Sequence, residues 1–259
     1  MSDRGQLYGD GFFETMLIID GRLNFAGLHY ERMLRTAEKL KLLLPSGFSE
    51  FIFFKNFIQS EISDGETIRL RMNVIRNPGG FYLPSNEGVV INFQKSDVHN
   101  PLNILRNYKS SISIGKDVTI FSKGLFNFKT LARSEQVLLS LEMKKNNQDD
   151  LLVLNEHDEI VECISSNIFF IDKNDIHFTP ALSSGCLDGV FRKYLLDSKN
   201  ALHIKMVEKT IGVHDLQKYK AVYTTNAVQG IIPVLKINEY SYNIDPVYEF
   251  MDKCDILMS

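Results

Sequence analysis

The sequence predicts a mixed α/β protein built in two parts. Segments with two-residue apolar alternation, typical of strands, interleave with longer segments in which apolar residues recur every three or four positions, as in helices. A polar stretch around residues 96–108, which contains Pro101, interrupts both patterns and is the candidate linker between the parts. At 259 residues, the chain is long enough for one large domain or two modest ones.

The first part begins with a hairpin, followed by two helices. The turn Asp20-Gly21 joins two strand segments, and apolar residues recur at helical spacing from Met33 to Leu40. Alternation in the strand over 67–76 places Arg69 and Arg71 together on its polar face. The predicted elements, in order, are strands over 12–19 and 22–25, helices over 28–43 and 49–62, and strands over 67–76 and 89–94.

The second part is expected to alternate strands with two helices. The second of these helices follows a glycine-containing loop over 183–189. The predicted elements, in order, are a strand over 111–114, a helix over 130–145, strands over 151–155, 160–163 and 167–172, a helix over 190–196, and strands over 204–207 and 221–225.

Composition excludes several classes of protein. Lys and Arg number 29 against 32 Asp and Glu, and a net charge of −3 provides no basic surface for nucleic acid. Every apolar run is far shorter than the roughly 20 residues that span a bilayer, and the polar N-terminus lacks an export signal. Three cysteines and six scattered histidines give neither a disulfide framework nor a metal-site spacing. We therefore expect a cytoplasmic protein without a metal, a membrane or a nucleic-acid partner.

Lys129 is the first candidate for chemistry. It follows Phe126 and Phe128 and stands at the entry of the predicted helix over 130–145. Desolvation against aromatic rings and a helix N-terminus both disfavour an ammonium ion, so the neutral amine would be a better nucleophile. An ordinary surface lysine is the alternative that the segment leaves open.

Glu162 is the second candidate. It interrupts apolar strand sequence between Ile160 and Phe170, and a buried carboxylate requires a cationic or hydrogen-bonding partner. The alternative is an edge position with the carboxylate in water. The sequence contains no P-loop, strand-linked GxGxxG, GxSxG or HExxH motif that would point to other chemistry.

These two candidates belong to a longer series of motifs, whose order and spacing are more specific than any one of them. The series consists of YGDGFFET (8–15), HYER (29–32), the Lys129 segment, ECISSN (162–167), TP (179–180), LDGVFR (187–192), TNA (225–227) and PV (233–234). Over nearly the whole chain it resembles the class IV pyridoxal-phosphate (PLP) enzymes. This family includes branched-chain and D-amino-acid aminotransferases and 4-amino-4-deoxychorismate lyase.

The resemblance implies a role for each motif. Lys129 would hold PLP covalently and move a proton at the substrate carbon, and Thr15 would lie close to this lysine. Glu162 would pair with the pyridine nitrogen and keep it protonated. A guanidinium, two backbone N–H groups and polar side chains would bind the phosphate. The phosphate-binding residues would be Arg32, Val190, Phe191, Thr225 and Asn226. For Arg32 a solvated position on its helix, and for Asn226 a turn position, are the alternatives.

Departures from the family pattern leave the reaction open between transamination and lyase chemistry. The Arg-x-His pair with which D-amino-acid enzymes bind a carboxylate is replaced by Phe81 and Leu83, and Phe81 also replaces an arginine of the lyases. Conversely, residues 131–138 (LARSEQVL) are similar to a lyase pattern. Arg71 and Arg76 are candidate contacts for a substrate carboxylate, with structural salt bridges as their alternative.

The resemblance further implies a two-domain, fold-type IV architecture. An N-terminally shortened small α/β domain would span 1–97, a linker 98–108, and a larger PLP-binding domain with Lys129 109–259. We expect a homodimer that acts at the amino-bearing carbon of a small carboxylated amine. The products of a lyase would be pyruvate and 4-aminobenzoate, as in folate synthesis. A non-catalytic protein that keeps the fold for binding or assembly is the alternative from another class.

Overall fold

A computed structural model describes residues 3–258, and it describes side chains as far as Cys254. The chain divides into two compact units. The first comprises the chain up to Pro101 together with Phe128–Arg133, and the second comprises Leu102–Asn127 and the chain from Ser134 onward. This division differs from the expected domains in two respects. The short segment around Lys129 lies with the first unit, and the expected linker 98–108 is divided between the two units after Pro101.

The first unit is a four-stranded antiparallel sheet with two of its three helices packed on the core face. Its sheet has the strand order β2-β1-β3-β4. Its helices and strands are α1 (Arg4–Tyr8), β1 (Gly11–Ile19), β2 (Arg22–Leu23), α2 (Ala26–Lys39), α3 (Phe51–Gln59), β3 (Ile68–Arg76) and β4 (Val89–Asp97).

Alternation along β1 places different side chains on the two faces of this sheet. Phe12, Met16 and Ile18 are buried and join the apolar core that also contains residues of α2 and α3. Glu14 lies on the same side, whereas Phe13 and Thr15 point to the opposite side. The strands and helices predicted for this unit from apolar periodicity are therefore present, with their ends shifted by a few residues.

The second unit contains two five-stranded sheets. Their strand orders are β10-β9-β8-β11-β12 and β14-β13-β5-β6-β7. The strands are β5 (Ile112–Ile114), β6 (Asp150–Leu154), β7 (Ile160–Cys163), β8 (Asn167–Asp172), β9 (His177–Pro180), β10 (Met206–Lys209), β11 (Tyr219–Asn226), β12 (Gly230–Val234), β13 (Lys236–Ile237) and β14 (Tyr240–Ser241). The helices are α4 (Ser134–Lys145), α5 (Val190–Ser198) and α6 (Asp245–Met258).

Apolar side chains from both sheets form one core of the second unit. Ile112 and Leu152 come from one sheet, and Ile168, Phe170 and Val222 come from the other. Helix α4 packs on β6, while α5 and α6 pack on β11. The predicted bounds of β7 and β8 are confirmed, whereas β9, β12, β13, β14 and α6 were not predicted.

Within residues 3–258, no helix combines the length and apolar character that a membrane-crossing segment requires. The same part of the chain contains no group of three or more His, Cys, Asp or Glu side chains arranged to hold a metal ion. Cys163, Cys186 and Cys254 are buried free thiols.

Candidate active site

Lys129 lies on a short extended segment that pairs with the start of β1. The amide of Phe13 donates to the Lys129 carbonyl at 2.9 Å, and the amide of Leu131 donates to the Gly11 carbonyl at 3.0 Å. Gly11 is required here, since a Cβ atom would come within 2.3 Å of the carbonyl oxygen of Val74. These backbone bonds fix the position from which the Lys129 side chain extends.

The predicted helix N-terminus at Lys129 is wrong. Helix α4 begins only at Ser134, because backbone groups of residues 129–131 that a helix would need are used by β1. The aromatic neighbours also differ from those expected. Phe128 instead lies near Lys39, whose Nζ is 5.9 Å from its ring centroid, and Phe126 packs in the second unit.

The aromatic surface beside Lys129 is the ring of Phe13. Lys129 Nζ lies 4.7 Å from the ring centroid, and the guanidinium carbon of Arg71 lies 3.6 Å from the same centroid. Thr15 pairs with Arg71 in the β1–β3 register and lies on the same side of β1 as Phe13. The structure thus brings three predicted residues to one face of the first sheet: Lys129, Arg71 and Thr15.

This face of the sheet is positively charged. Arg71 Nε donates to Asn73 Oδ1 at 2.8 Å. The pKa of Arg71 is lowered by partial burial and, to a smaller extent, by the positive charges of Arg69 and Arg133. A face with several cations and a lysine is suited to an anionic substrate.

Arg32 lies on the opposite side of β1, in the core-facing layer. Its Nε and Nη2 donate to the two carboxylate oxygens of Glu14 at 2.8 and 2.5 Å, and His29 Nδ1 lies 2.7 Å from Glu14 Oε2. Glu14 and His29 are fully buried and Arg32 is nearly so. Burial raises the pKa of Glu14, but the charge and hydrogen bonds of Arg32, with those of His29, lower it further, to about 2. The solvated alternative for Arg32 does not describe this position.

Arg76 forms a salt bridge and hydrogen bonds that hold parts of the first unit together. Its Nε donates to both carboxylate oxygens of Asp10, at 3.0 and 3.1 Å, and its two terminal nitrogens donate to the carbonyls of Leu40 and Lys41. Arg4 binds the same Asp10 carboxylate at 2.8 Å. The salt-bridge alternative therefore fits Arg76 better than contact with a substrate.

Glu162 in the second unit is partly buried and hydrogen-bonded. Its Oε2 accepts from the amide of Leu187 at 2.9 Å and from Asn167 Nδ2 at 3.4 Å. The same Asn167 nitrogen donates to the Leu187 carbonyl at 2.8 Å. Strand β7 is the edge strand of its sheet, as the alternative supposed, but the carboxylate is not left to water, because one loop amide and one strand side chain hold it.

The N-terminus of α5 follows this loop. Gly189 is its N-cap residue and provides no side-chain cap, so the start of the helix at Val190 and Phe191 is suited to an anion. A Cβ atom at Gly189 would come within 2.0 Å of Asn167 Oδ1. Only glycine therefore allows the helix start and Asn167 to approach so closely.

Thr225 and Asn226 end β11 with different surroundings. Thr225 is 1% exposed, and its Oγ1 has no hydrogen-bond partner among the described residues. Asn226 instead closes the turn to β12, since its Oδ1 accepts from the amides of Val228 and Gln229 at 3.0 and 2.8 Å. The turn alternative therefore describes the Asn226 side chain, while Thr225 keeps a buried hydroxyl that lacks a protein partner.

Four residues were missed as functional candidates from the sequence: Phe13, Glu14 and His29 in the first unit, and Asn167 in the second. Each of them was quoted only as part of a motif and was given no role. Glu14 had the clearest signal, because a carboxylate between Phe12 and Met16 on an alternating strand must be buried and requires a cation.

Comparison with known proteins gives consistent results. The amino-transferase class IV family model matches residues 11–237. An aminodeoxychorismate lyase of Bacillus subtilis is 26% identical over 249 residues, which cover 93% of this chain and 82% of that protein. A putative 4-amino-4-deoxychorismate lyase of Legionella pneumophila aligns with a TM-score of 0.85 at 21% identity, over 100% of this chain and 94% of the other.

A further solved structure, the PLP-bound form of a hypothetical aminotransferase from Mycobacterium tuberculosis, aligns with a TM-score of 0.80 at 17% identity. The alignment covers 99% of this chain and 91% of that protein. The two structural likenesses confirm the predicted fold class.

Proposed function

Because the chain belongs to the class IV aminotransferase family, we propose that it is a PLP-dependent enzyme acting at the amino-bearing carbon of a small carboxylated amine. The observation that carries the proposal is the setting of Lys129, fixed on the edge of β1 with its amine over Phe13 and beside Arg71. The Bacillus subtilis relative is named as a lyase, and nothing in the comparisons supports the non-catalytic alternative.

The residues present fit this cofactor. The buried Thr225 hydroxyl without a protein partner and the uncapped start of α5 are both suited to phosphate oxygens. Arg32 is not counted among them, because its guanidinium pairs with Glu14 in the core-facing layer of the first unit. Glu162 is a carboxylate fixed by neutral donors, so it can accept a hydrogen bond from a protonated ring nitrogen.

Lys129 has the two tasks that the reaction requires. Bound PLP supplies the electron-accepting ring that stabilises negative charge at the substrate carbon. The Lys129 amine would hold the cofactor covalently in the resting enzyme and, once released, would take the proton from that carbon. In transamination the proton would pass on to the cofactor, and in the lyase reaction to the departing pyruvate. Arg71 would bind a substrate carboxylate, since its guanidinium lies on the same face as Lys129.

We propose lyase chemistry as the first candidate reaction. Its substrate, 4-amino-4-deoxychorismate, carries two carboxylates, and the positive charges of Arg69 and Arg133 act on Arg71 at the face beside Lys129. The lyase-like run over 131–138 and the lyase relatives support the same choice. Transamination is the second candidate, because Phe81 stands where the lyases have an arginine; Phe81 and Leu83 weigh equally against the D-amino-acid type of transamination.

The purified PLP-loaded protein, supplied with 4-amino-4-deoxychorismate, is expected to release equal amounts of pyruvate and 4-aminobenzoate. Arg71→Gln should raise KM at least about tenfold, because a charged hydrogen bond to a carboxylate is lost. Arg76→Gln serves as the matched control, and its KM should stay near that of the unaltered enzyme. Amino-group transfer from an amino acid to pyruvate, without 4-aminobenzoate release, would replace the lyase by a transaminase. Failure of both reactions would contradict the proposed function.

We propose that the protein is a cytoplasmic homodimer. Support comes from three consecutive apolar residues of the loop after β3, Phe81, Tyr82 and Leu83, which are each 84–90% exposed in the single chain. Light scattering during gel filtration should give twice the mass of one chain. A mass that stays at one chain across the accessible concentration range would exclude the dimer.

A further inference from the structure

A tight corner joins the strand of Glu162 to the strand of Asn167. Residues 163–167 form this corner, and it is closed by a hydrogen bond from the Cys163 amide to the Ser166 carbonyl at 2.8 Å. Glu162 immediately precedes the corner and Asn167 ends it. The direction of the Glu162 carboxylate therefore depends on the conformation of the corner.

Asp150, at the start of β6, holds the corner from one side. It is 4% exposed, and its Oδ1 accepts from the amide of Ile164 at 3.1 Å as well as from that of Leu151 at 2.9 Å. Its Oδ2 forms an ion pair with Lys109 Nζ. A buried carboxylate that accepts a corner amide fixes that amide more strongly than water would.

Lys109 holds the corner from the other side. Its own backbone is fixed to the end of β12, through its amide to the Pro233 carbonyl at 2.8 Å and its carbonyl to the Leu235 amide at 2.9 Å. Its largely buried side chain reaches Asp150 and lies 3.5 Å from Ser166 Oγ. The pair thus connects three segments of the second unit at the corner.

Stability alone is a poor reason for such a pair. Buried ion pairs lose much of their attraction to desolvation, and apolar replacements of similar size are often equally stable. The pairing of β5 with β6 is already provided by backbone bonds. What the ion pair adds is a defined position for the Ile164 amide and the Ser166 hydroxyl.

We propose that Lys109 and Asp150 are positioning residues that set the direction of Glu162 and Asn167. This inference rests on the proposed function, because Glu162 is the group that would contact the cofactor ring. The pair itself touches neither cofactor nor substrate; it acts through residues 163–167.

The first measurement needs no cofactor. In Asp150→Asn, amide hydrogen exchange at Ile164 and Leu187 should become at least about tenfold faster, because the anionic acceptor of the corner is lost. Asp149→Asn is the matched control: Asp149 is exposed, and its carboxylate accepts from the amides of Ser110 and Ser111 rather than from an amide of residues 163–167. Ser166→Ala, which removes only the Lys109 contact, serves as the milder variant if Asp150→Asn does not fold. Unchanged exchange at both amides would overturn the proposal.

The second measurement is a double-mutant cycle on the dissociation constant of PLP, read from visible absorbance without turnover. Asp150→Asn should weaken PLP binding about tenfold in the natural background and less than about twofold in Glu162→Gln, since the effect passes through Glu162. The same factor in both backgrounds would show a merely structural role and contradict the inference. If the unaltered protein binds no PLP, the proposed function fails and the positioning role fails with it, whereas the exchange result still reports on the corner.

Discussion

Lys129→Ala is expected to abolish covalent attachment of PLP and to lower turnover by at least about 10²–10⁴-fold. That range corresponds to the loss of proton transfer by a positioned side chain alone, and loss of the attaching amine adds to it. The measurement is borohydride reduction of the loaded protein, followed by mass spectrometry of the peptide that contains residue 129, with turnover measured in parallel.

Lys39→Ala is the matched control, because Lys39 is another lysine of the first unit whose amine lies near an aromatic ring. It should retain both the attachment at Lys129 and full turnover. Borohydride labelling at Lys39, or undiminished labelling of Lys129→Ala at any other lysine, would show that the site has been assigned to the wrong residue.

Glu14→Gln is expected to destabilise the protein by about 3–5 kcal/mol, the usual cost of leaving a buried charge without its partner. The carboxylate is fully buried and accepts both hydrogen bonds from Arg32, as well as the contact from His29. A glutamine supplies only one acceptor oxygen, so the Arg32 charge is left uncompensated in the core. Urea unfolding followed by circular dichroism measures the loss.

The same variant has a defined pH dependence. Because the pKa of Glu14 falls from an ordinary 4.5 to about 2 in the folded state, its stabilisation is complete above pH 4.5 and is lost as the pH falls to about 2. The stability difference between natural protein and Glu14→Gln should therefore shrink over this range. Glu66→Gln, which alters an exposed pair with Lys95, should leave the unfolding midpoint nearly unchanged at neutral pH. A pH-independent difference for Glu14→Gln would contradict the assigned ionisation.

The fold could be predicted where a periodic pattern coincided with burial on one side. Strand β3 shows alternation, and helix α2 buries His29, Arg32, Met33, Thr36 and Ala37 at helical spacing. Strand β9 was missed because His177–Pro180 is short and contains polar residues and a proline. Its burial depends on β8 and β10, which flank it in the sheet.

The candidate site could be predicted only in part, for a related reason. Motif order identified Lys129 and Glu162, but the partners of each come from distant parts of the chain. Phe13 approaches Lys129 because β1 pairs with residues 129–131, and Leu187 approaches Glu162 through a loop. A local pattern reports the periodicity of its own segment; it does not report which strand will lie alongside.

Strand β1 also constrains how the gene can change. Phe13 and Glu14 are adjacent in the chain and serve opposite sides of the sheet, one beside Lys129 and the other beside Arg32. Inserting or deleting one codon between Gly11 and Glu14 would exchange these sides. The Glu14 carboxylate would then lie beside Lys129, and the Phe13 ring would lie beside Arg32. Substitutions of similar size can therefore accumulate along β1, whereas changes of length within it would disable the core and the candidate active site in a single step.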